Sequence, residues 1–238
     1  MFNDCRLGLK PHDKERYGSV CRLTPDDINP LLTRCPTDWA LGHLWDSDDL
    51  KNKEIGLCGP AAAVNVLKLL ALACGRTDIK FTHEDAERFY RDHMGWDGTE
   101  AGDEGVVLLD MMYQWMLHPI AGFKCDGFYV IAHANAEHIA SGVGCAPLVM
   151  AANLTRACQK TNLWDAEAAD PRNRIWGPHA FAYFADSPGL GRGKSWGHVV
   201  DLTPDFRVAQ CTEVYLPVIR ELMPHVQIDR LLSVARQL

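Results

Sequence analysis

The segment Gly56-Leu57-Cys58-Gly59-Pro60-Ala61-Ala62-Ala63-Val64-Asn65-Val66-Leu67-Lys68-Leu69-Leu70-Ala71-Leu72-Ala73 places a cysteine where a loop turns into a long apolar helix. Pro60 fits the first helical position, because its ring pre-sets φ and its missing N–H has no intrahelical partner there. The helix is expected to run to about Cys74 and to stop at Gly75, which readily takes the left-handed conformation that ends helices. Apolar residues cover nearly every face, so the helix belongs in a core rather than on a surface. Cys58 then lies at the positive end of the helix, where unpaired N–H groups and the macrodipole favour a thiolate over a thiol. This is how a nucleophilic cysteine is armed, although free cysteine is also among the residues most often buried as inert packing.

The remaining composition narrows the setting. A chain of 238 residues that is 47% hydrophobic supplies a substantial core and fits one large domain or two small ones. A net charge of −7, with no long run of Lys or Arg, lacks the footprint of a nucleic-acid or anionic-membrane binder. No apolar run is long enough to span a bilayer. The start, Met1-Phe2-Asn3-Asp4-Cys5, lacks the basic and apolar regions of a secretory signal, which points to a cytoplasmic location. The 9 cysteines are odd in number and include no C-x-x-C pair, so free thiols are expected rather than a disulfide framework. His133 and His138 stand five apart and no close ligand pairs occur, so neither a metal nor another cofactor is expected.

Residues 1–55 hold scattered Pro, Asp and Trp and read as an extended arm with short turns, Trp39 and Trp45 being buried against the body. Thr82 caps a helix from His83 to about His93, with Glu84 and Asp85 in its first turn and Gly95 closing it. A third helix is expected over Gly105 to Leu117, where Val106, Leu109, Met112, Trp115 and Met116 recur at helical spacing. Beyond Gly122 the period changes. Strands are expected at 127–132 and 146–151 around a short helix at 134–141, followed by a polar loop over 154–175 that serves as a flap or an insertion. Further strands are expected at Trp176–Asp186 and at Lys194–Leu202, and a helical tail from Cys211 that includes Val226–Leu238. The glycines 189, 191 and 193 precede no helix, which argues against a nucleotide loop. With no repeat or linker, the reading is one α+β domain over 1–238: the arm, a helical lobe at 56–122, and a sheet lobe at 123–238 ending in a helix.

A cysteine hydrolase also needs an imidazole to move a proton, a group to orient that imidazole, and donors for the oxyanion. His179 opens a strand after Gly177-Pro178, where the turn can project its ring toward Cys58. Here the chain resembles the papain-like cysteine peptidases, in which a cysteine opens the central helix, His-Ala opens a strand of the barrel, and Asn-Ser-Trp-Gly follows after a turn. The matching positions are Cys58, His179-Ala180 and Lys194-Ser195-Trp196-Gly197. His179 follows Cys58 by 121 residues (179 − 58) and Ser195 by 137 (195 − 58), against about 130 to 150 in the family. The resemblance implies a papain-like fold, with the Cys-bearing central helix packed on an antiparallel, barrel-like sheet. It also implies an oxyanion-hole amide six positions before the nucleophile, where Asn52 supplies the amide N–H with a shorter reach than the usual Gln.

Asn52-x-x-x-Gly56-x-Cys58 further resembles a divergent group of papain-like proteins encoded by tailed bacteriophages near their virion genes. That narrower likeness implies host cytoplasm or the virion as location, and virion proteins as partners beside a peptide or protein substrate. Two departures stand against the family pattern. Gly56-Leu57-Cys58-Gly59-Pro60 replaces the C-G-[SA]-C-[WY] signature, and Lys194 matches the orienting Asn. Lysine is donor-only and cationic, so the orienting task would pass to Asp186 or a backbone carbonyl. His198 is the rival base, because Gly197-His198-Val199-Val200 resembles the Gly-His-Val strand start of NlpC/P60-type peptidases. Two functional readings follow. One is a thiol hydrolase, peptidase or amidase, using Cys58, His179 and Asn52. The other is a catalytically inactive papain-like virion or assembly protein that serves as a binding module, which Lys194 favours.

Overall fold

The computed structural model describes residues 9–10, 48–165, 174–186 and 189–223. Trp39, Trp45, most of the expected arm and the expected helix at 226–238 lie outside the described residues.

Helix α1 (Cys58–Ala73) has Leu57 as its N-cap, so Cys58 is the first helical residue and Pro60 the third. Proline is still accommodated there, since the first turn's N–H groups have no intrahelical acceptors. Every residue from Cys58 to Ala71 except Lys68 is buried, as expected of a helix that is apolar all round. Lys68 reaches out to Asp48 at 3.5 Å. The helix ends through Cys74 and Gly75, the latter at φ 70°. Helix α2 (His83–Met94) opens with a Thr82–Asp85 capping box and closes on Gly95 at φ 81°.

The third helix starts later than its apolar spacing suggests. Gly105 sits at φ 76°, and the β-branched pair Val106–Val107 is extended as β2, so α3 spans only Leu108–Leu117. Strand β2 pairs in parallel with β1 (Leu9–Lys10), and Lys10 Nζ lies 2.8 Å from Glu104.

Seven strands form the main sheet: β3 (Gly127–Val130), β4 (Leu148–Thr155), β5 (Leu163–Trp164), β6 (Ile175–Asp186), β7 (Gly191–Ser195), β8 (His198–Leu202) and β9 (Cys211–Val218). Their order is β3-β9-β4-β6-β7-β8-β5, antiparallel throughout except for β5 beside β8. Helix α4 (Ala136–Cys145) is capped by the Asn135 side chain, and α5 (Pro204–Gln210) by that of Thr203 with proline at its start. The chain is therefore α+β, with the buried α1 packed along β6.

Three expectations are corrected. The polar loop after 154 begins as the end of β4, then a 3₁₀ turn at Arg156–Gln159 and the short β5. The single strand expected at Lys194–Leu202 is a hairpin, β7 and β8, turning at Trp196-Gly197 with φ 47° and 77°. The tail from Cys211 is a strand rather than a helix, because Val214, Leu216 and Val218 fill an interior position between β3 and β4.

Gly59 fixes how closely α1 approaches β2, since a Cβ there would stand 2.8 Å from Val106 Cγ2. Gly59→Ala is expected to destabilise the fold by about 1–3 kcal/mol through overpacking. Val106→Ala in the same chain should recover part of the loss in urea denaturation; no change on Gly59→Ala would contradict this packing.

Candidate active site

The chain enters α1 through a tight turn. Leu50 and Lys51 both adopt left-handed conformations, φ 56° and 57°. The Asp48 carboxylate accepts the Leu50 N–H at 2.9 Å, and that of Asp49 accepts the Lys51 N–H at 3.0 Å. Asparagine and aspartate side chains commonly hold such turns by bonding the backbone two residues on. The turn buries Asn52 to 3% exposure, and its Oδ1 has no hydrogen-bond partner. Beyond it, the Gly56 N–H donates to both Asp103 carboxylate oxygens, at 2.8 and 3.1 Å. The Tyr90 hydroxyl donates to Asp103 at 2.8 Å and accepts the Gly105 N–H at 2.9 Å. Burial, reinforced by Asp103, pushes the Tyr90 hydroxyl above its ordinary range, so it remains a donor. The loop before Cys58 is thereby tied to α2 and to the Gly105 turn.

Cys58 is fully buried at the first position of the 16-residue α1. Burial pushes Cys125 and Cys211 up to about 12 and raises Cys74 and Cys158 as well, which keeps them protonated packing groups. None of the six described cysteines forms a disulfide.

His179 lies on β6 opposite Ala152 of β4, while the pairing of β6 with β7 begins only at Ala182. The one-sided stretch of β6 tolerates Pro178, which has no N–H to give a ladder. The imidazole is fully buried, with Nε2 2.7 Å from Ser195 Oγ and Nδ1 without a hydrogen-bond partner. Its ring stacks on Trp196 with centroids 4.0 Å apart and planes at 23°. Trp196 is backed by Trp176 and Trp164 at 5.5 and 6.2 Å. Burial pushes the imidazole down to about 3, so the ring is neutral in the folded protein.

The hydroxyl of Ser195 therefore stands where the resemblance implied Lys194. Alternation along β7 explains this. A Cβ at Gly193 would touch Phe181 at 2.8 Å, which places 193 and 195 on the face shared by residues 179 and 181. Lys194 belongs to the opposite face, where it is 2% exposed. Asp186 does not orient the imidazole either. It lies seven residues along β6, about 23 Å at roughly 3.3 Å per residue. There it accepts the Tyr183 hydroxyl at 2.5 Å and pairs with the buried Arg207. His198, the rival base, is exposed beyond the Trp196-Gly197 turn; partial burial and the charges of Lys53 and Lys194 push it down, with Asp49 opposing.

No protein-family model and no curated protein matches this sequence, so the likeness is one of structure. Xylellain, a cysteine protease from Xylella fastidiosa, matches with a TM-score of 0.64 at 12% identity over 90% of this chain and 96% of its own. The fold is papain-like. The proform of the Amb a 11 cysteine protease, a ragweed pollen allergen, matches at 0.56 and 17% identity over 92% of this chain and 76% of its own. The Carica candamarcensis cysteine protease CMS1MS2, solved in complex with E-64, matches at 0.54 and 14% identity over 76% of this chain and 96% of its own.

Within this papain-like fold the described residues offer a sulfur at a helix start, a neutral imidazole on the strand against which that helix packs, and a buried amide in the turn leading to the sulfur. Sequence reasoning missed Ser195 as the imidazole's partner and Asp103–Tyr90 as the anchor of the entering loop. No local signal pointed to Ser195: the face it takes depends on the register of β7 against β6.

The buried imidazole makes stability depend on pH. Its folded value of about 3 lies below the ordinary 6.5, so between these limits the unfolded chain binds a proton that the folded chain does not. The contribution is fully present above 6.5 and is lost as pH falls toward 3, with a slope of up to about 1.4 kcal/mol per pH unit. His179→Gln is expected to flatten the pH dependence of the unfolding free energy between pH 4 and 6.5. An unchanged slope would contradict a buried, neutral His179.

Proposed function

We propose that this chain is a papain-like thiol hydrolase that cleaves an amide bond in a peptide or protein, with Cys58 as nucleophile, His179 as general base and acid, and Asn52 as an oxyanion donor. The observation that carries the reading is the state of His179: neutral, stacked, bonded at Nε2 and open at Nδ1, on the strand packed against the helix that Cys58 begins. The thiol proton passes to Nδ1 as the sulfur attacks the carbonyl carbon. The carbonyl π electrons move to oxygen, which the Asn52 amide N–H and the Cys58 backbone N–H receive. On collapse the C–N bond breaks, and the proton on Nδ1 goes to the departing amine. Water then gives a proton to the same nitrogen, attacks the thioester and expels the sulfur, which takes the proton back. The chain's own groups balance every step, and no metal or cofactor is called on.

The second reading, an inactive papain-like shell that binds other proteins in a bacteriophage virion or during its assembly, is favoured by one observation. Cys58 and His179 are both wholly buried, so a substrate carbonyl reaches them only if something moves aside. The host cytoplasm or the virion is the setting implied by the narrower resemblance, under either reading.

Incubation of the purified protein with a peptide library, read by mass spectrometry, separates the two. The enzyme reading predicts new termini that disappear in Cys58→Ala and form about 100- to 1,000-fold more slowly in Asn52→Ala, the usual cost of one oxyanion donor. Cleavage that persists in Cys58→Ala, or a wild-type protein that leaves the library intact, would sink it and leave the binding module.

A further inference from the structure

We infer that Ser195 is the positioning residue of this site: its hydroxyl accepts the His179 Nε2–H and so holds the imidazole in the tautomer whose Nδ1 carries the lone pair. The inference rests on the proposed role of His179 but concerns a residue and a hydrogen-bond polarity which that role does not require.

Three observations converge on it. The Nε2–Oγ separation is 2.7 Å, between groups 0% and 1% exposed, so no water competes for either. Nδ1 is buried and has no hydrogen-bond partner. A proton on Nε2 meets Oγ directly and leaves Nδ1 a bare lone pair, whereas a proton on Nδ1 would be a buried N–H with no acceptor, which folded proteins rarely contain. The stack on Trp196 fixes the plane of the ring, and Trp196 is itself fixed as the first residue of the two-residue turn that follows Ser195. The backbone beneath the hydroxyl is fixed too, because Ser195 is the last residue of β7 and pairs with His198 across the hairpin.

Chemistry separates a hydroxyl from the alternatives that the sequence offered. Lys194 has only protons to give and points to the other face, and Asp186 is engaged with Tyr183 and Arg207. A hydroxyl has lone pairs to accept the ring N–H and brings no charge. It therefore orients the imidazole without favouring its protonated form, and the ring is ready to take a proton during attack rather than before it.

The tautomer can be read without turnover. In ¹⁵N-labelled wild-type protein at pH 7, long-range ¹H–¹⁵N correlation should show the His179 ring with protonated Nε2 and bare Nδ1; a proton on Nδ1 would overturn the inference whatever the protein's activity. In Ser195→Ala the Nδ1–H form should become populated. With a peptide substrate, kcat should fall about 10- to 100-fold with little change in KM, the usual range for loss of a partner that orients a functional imidazole. Ser195→Thr, which keeps the hydroxyl, should restore both the tautomer and most of kcat. If Ser195→Ala does not fold, Ser195→Cys serves in its place, since a thiol is a poor acceptor of nearly the same shape. A variant without the hydroxyl that keeps the wild-type tautomer and kcat would refute the inference. A wild-type protein that shows the stated tautomer but cleaves nothing would refute the hydrolase reading alone.

Discussion

The packing of α1 along β6 is the contact on which the rest of the molecule depends. It joins a helix that begins with Cys58 to a strand that carries His179, residues 121 apart in sequence. The helix is buried on all sides, so its position is set by shape rather than by a wet face, and a well-packed interior resists displacement of even one methylene. Gly59, against Val106, sets the depth to which its first turn can sink. Asp103, itself bonded by Tyr90, then holds the incoming loop by its Gly56 N–H, so both the helix start and the loop leading into it are constrained.

Around the imidazole the constraint is electrostatic as much as steric. Three tryptophans and the sheet exclude water, and in such surroundings a charged ring is costly without a charged partner. The nearest side chain with a hydrogen bond to give or take is the uncharged Ser195. A neutral ring is the consequence. The turn that supplies this arrangement places a tryptophan at φ 47°, a conformation that costs on the order of 1–3 kcal/mol for a residue with a side chain. That strain falls on the residue that stacks against His179.

Much of this was legible from residue order. The apolar helix from Cys58, the Thr82 cap, the Gly75 and Gly95 stops, and the strands near 127, 148 and 175 follow from periodicity and terminal residues, and the α+β class from their order, while the papain-like fold was implied by the resemblance carried by Cys58, His179-Ala180 and Ser195-Trp196-Gly197. The misreadings have physical causes. Val106 and Val107 keep the helical spacing of the segment after them, but Gly105 at positive φ turns them into an edge strand. Val214, Leu216 and Val218 lie in a strand buried on both faces, whose near-continuous apolar run is as compatible with a buried helix. The helix before it announced itself only through Thr203-Pro204, a cap and a first-turn proline that were there to be used. At the site, the family pattern pointed to Lys194, and the pleat of one short strand decided for Ser195 instead.

The central claim is that the Cys58 sulfur and the His179 imidazole exchange a proton. The rate of Cys58 alkylation by iodoacetamide, mapped by mass spectrometry from pH 4 to 9 in wild type and His179→Ala, tests it most directly. The account predicts that wild-type Cys58 reacts at acidic pH, where Cys74 does not, and that His179→Ala moves its profile toward that of an ordinary thiol near 8.5 despite the added space. Superimposable profiles for the two proteins would contradict it.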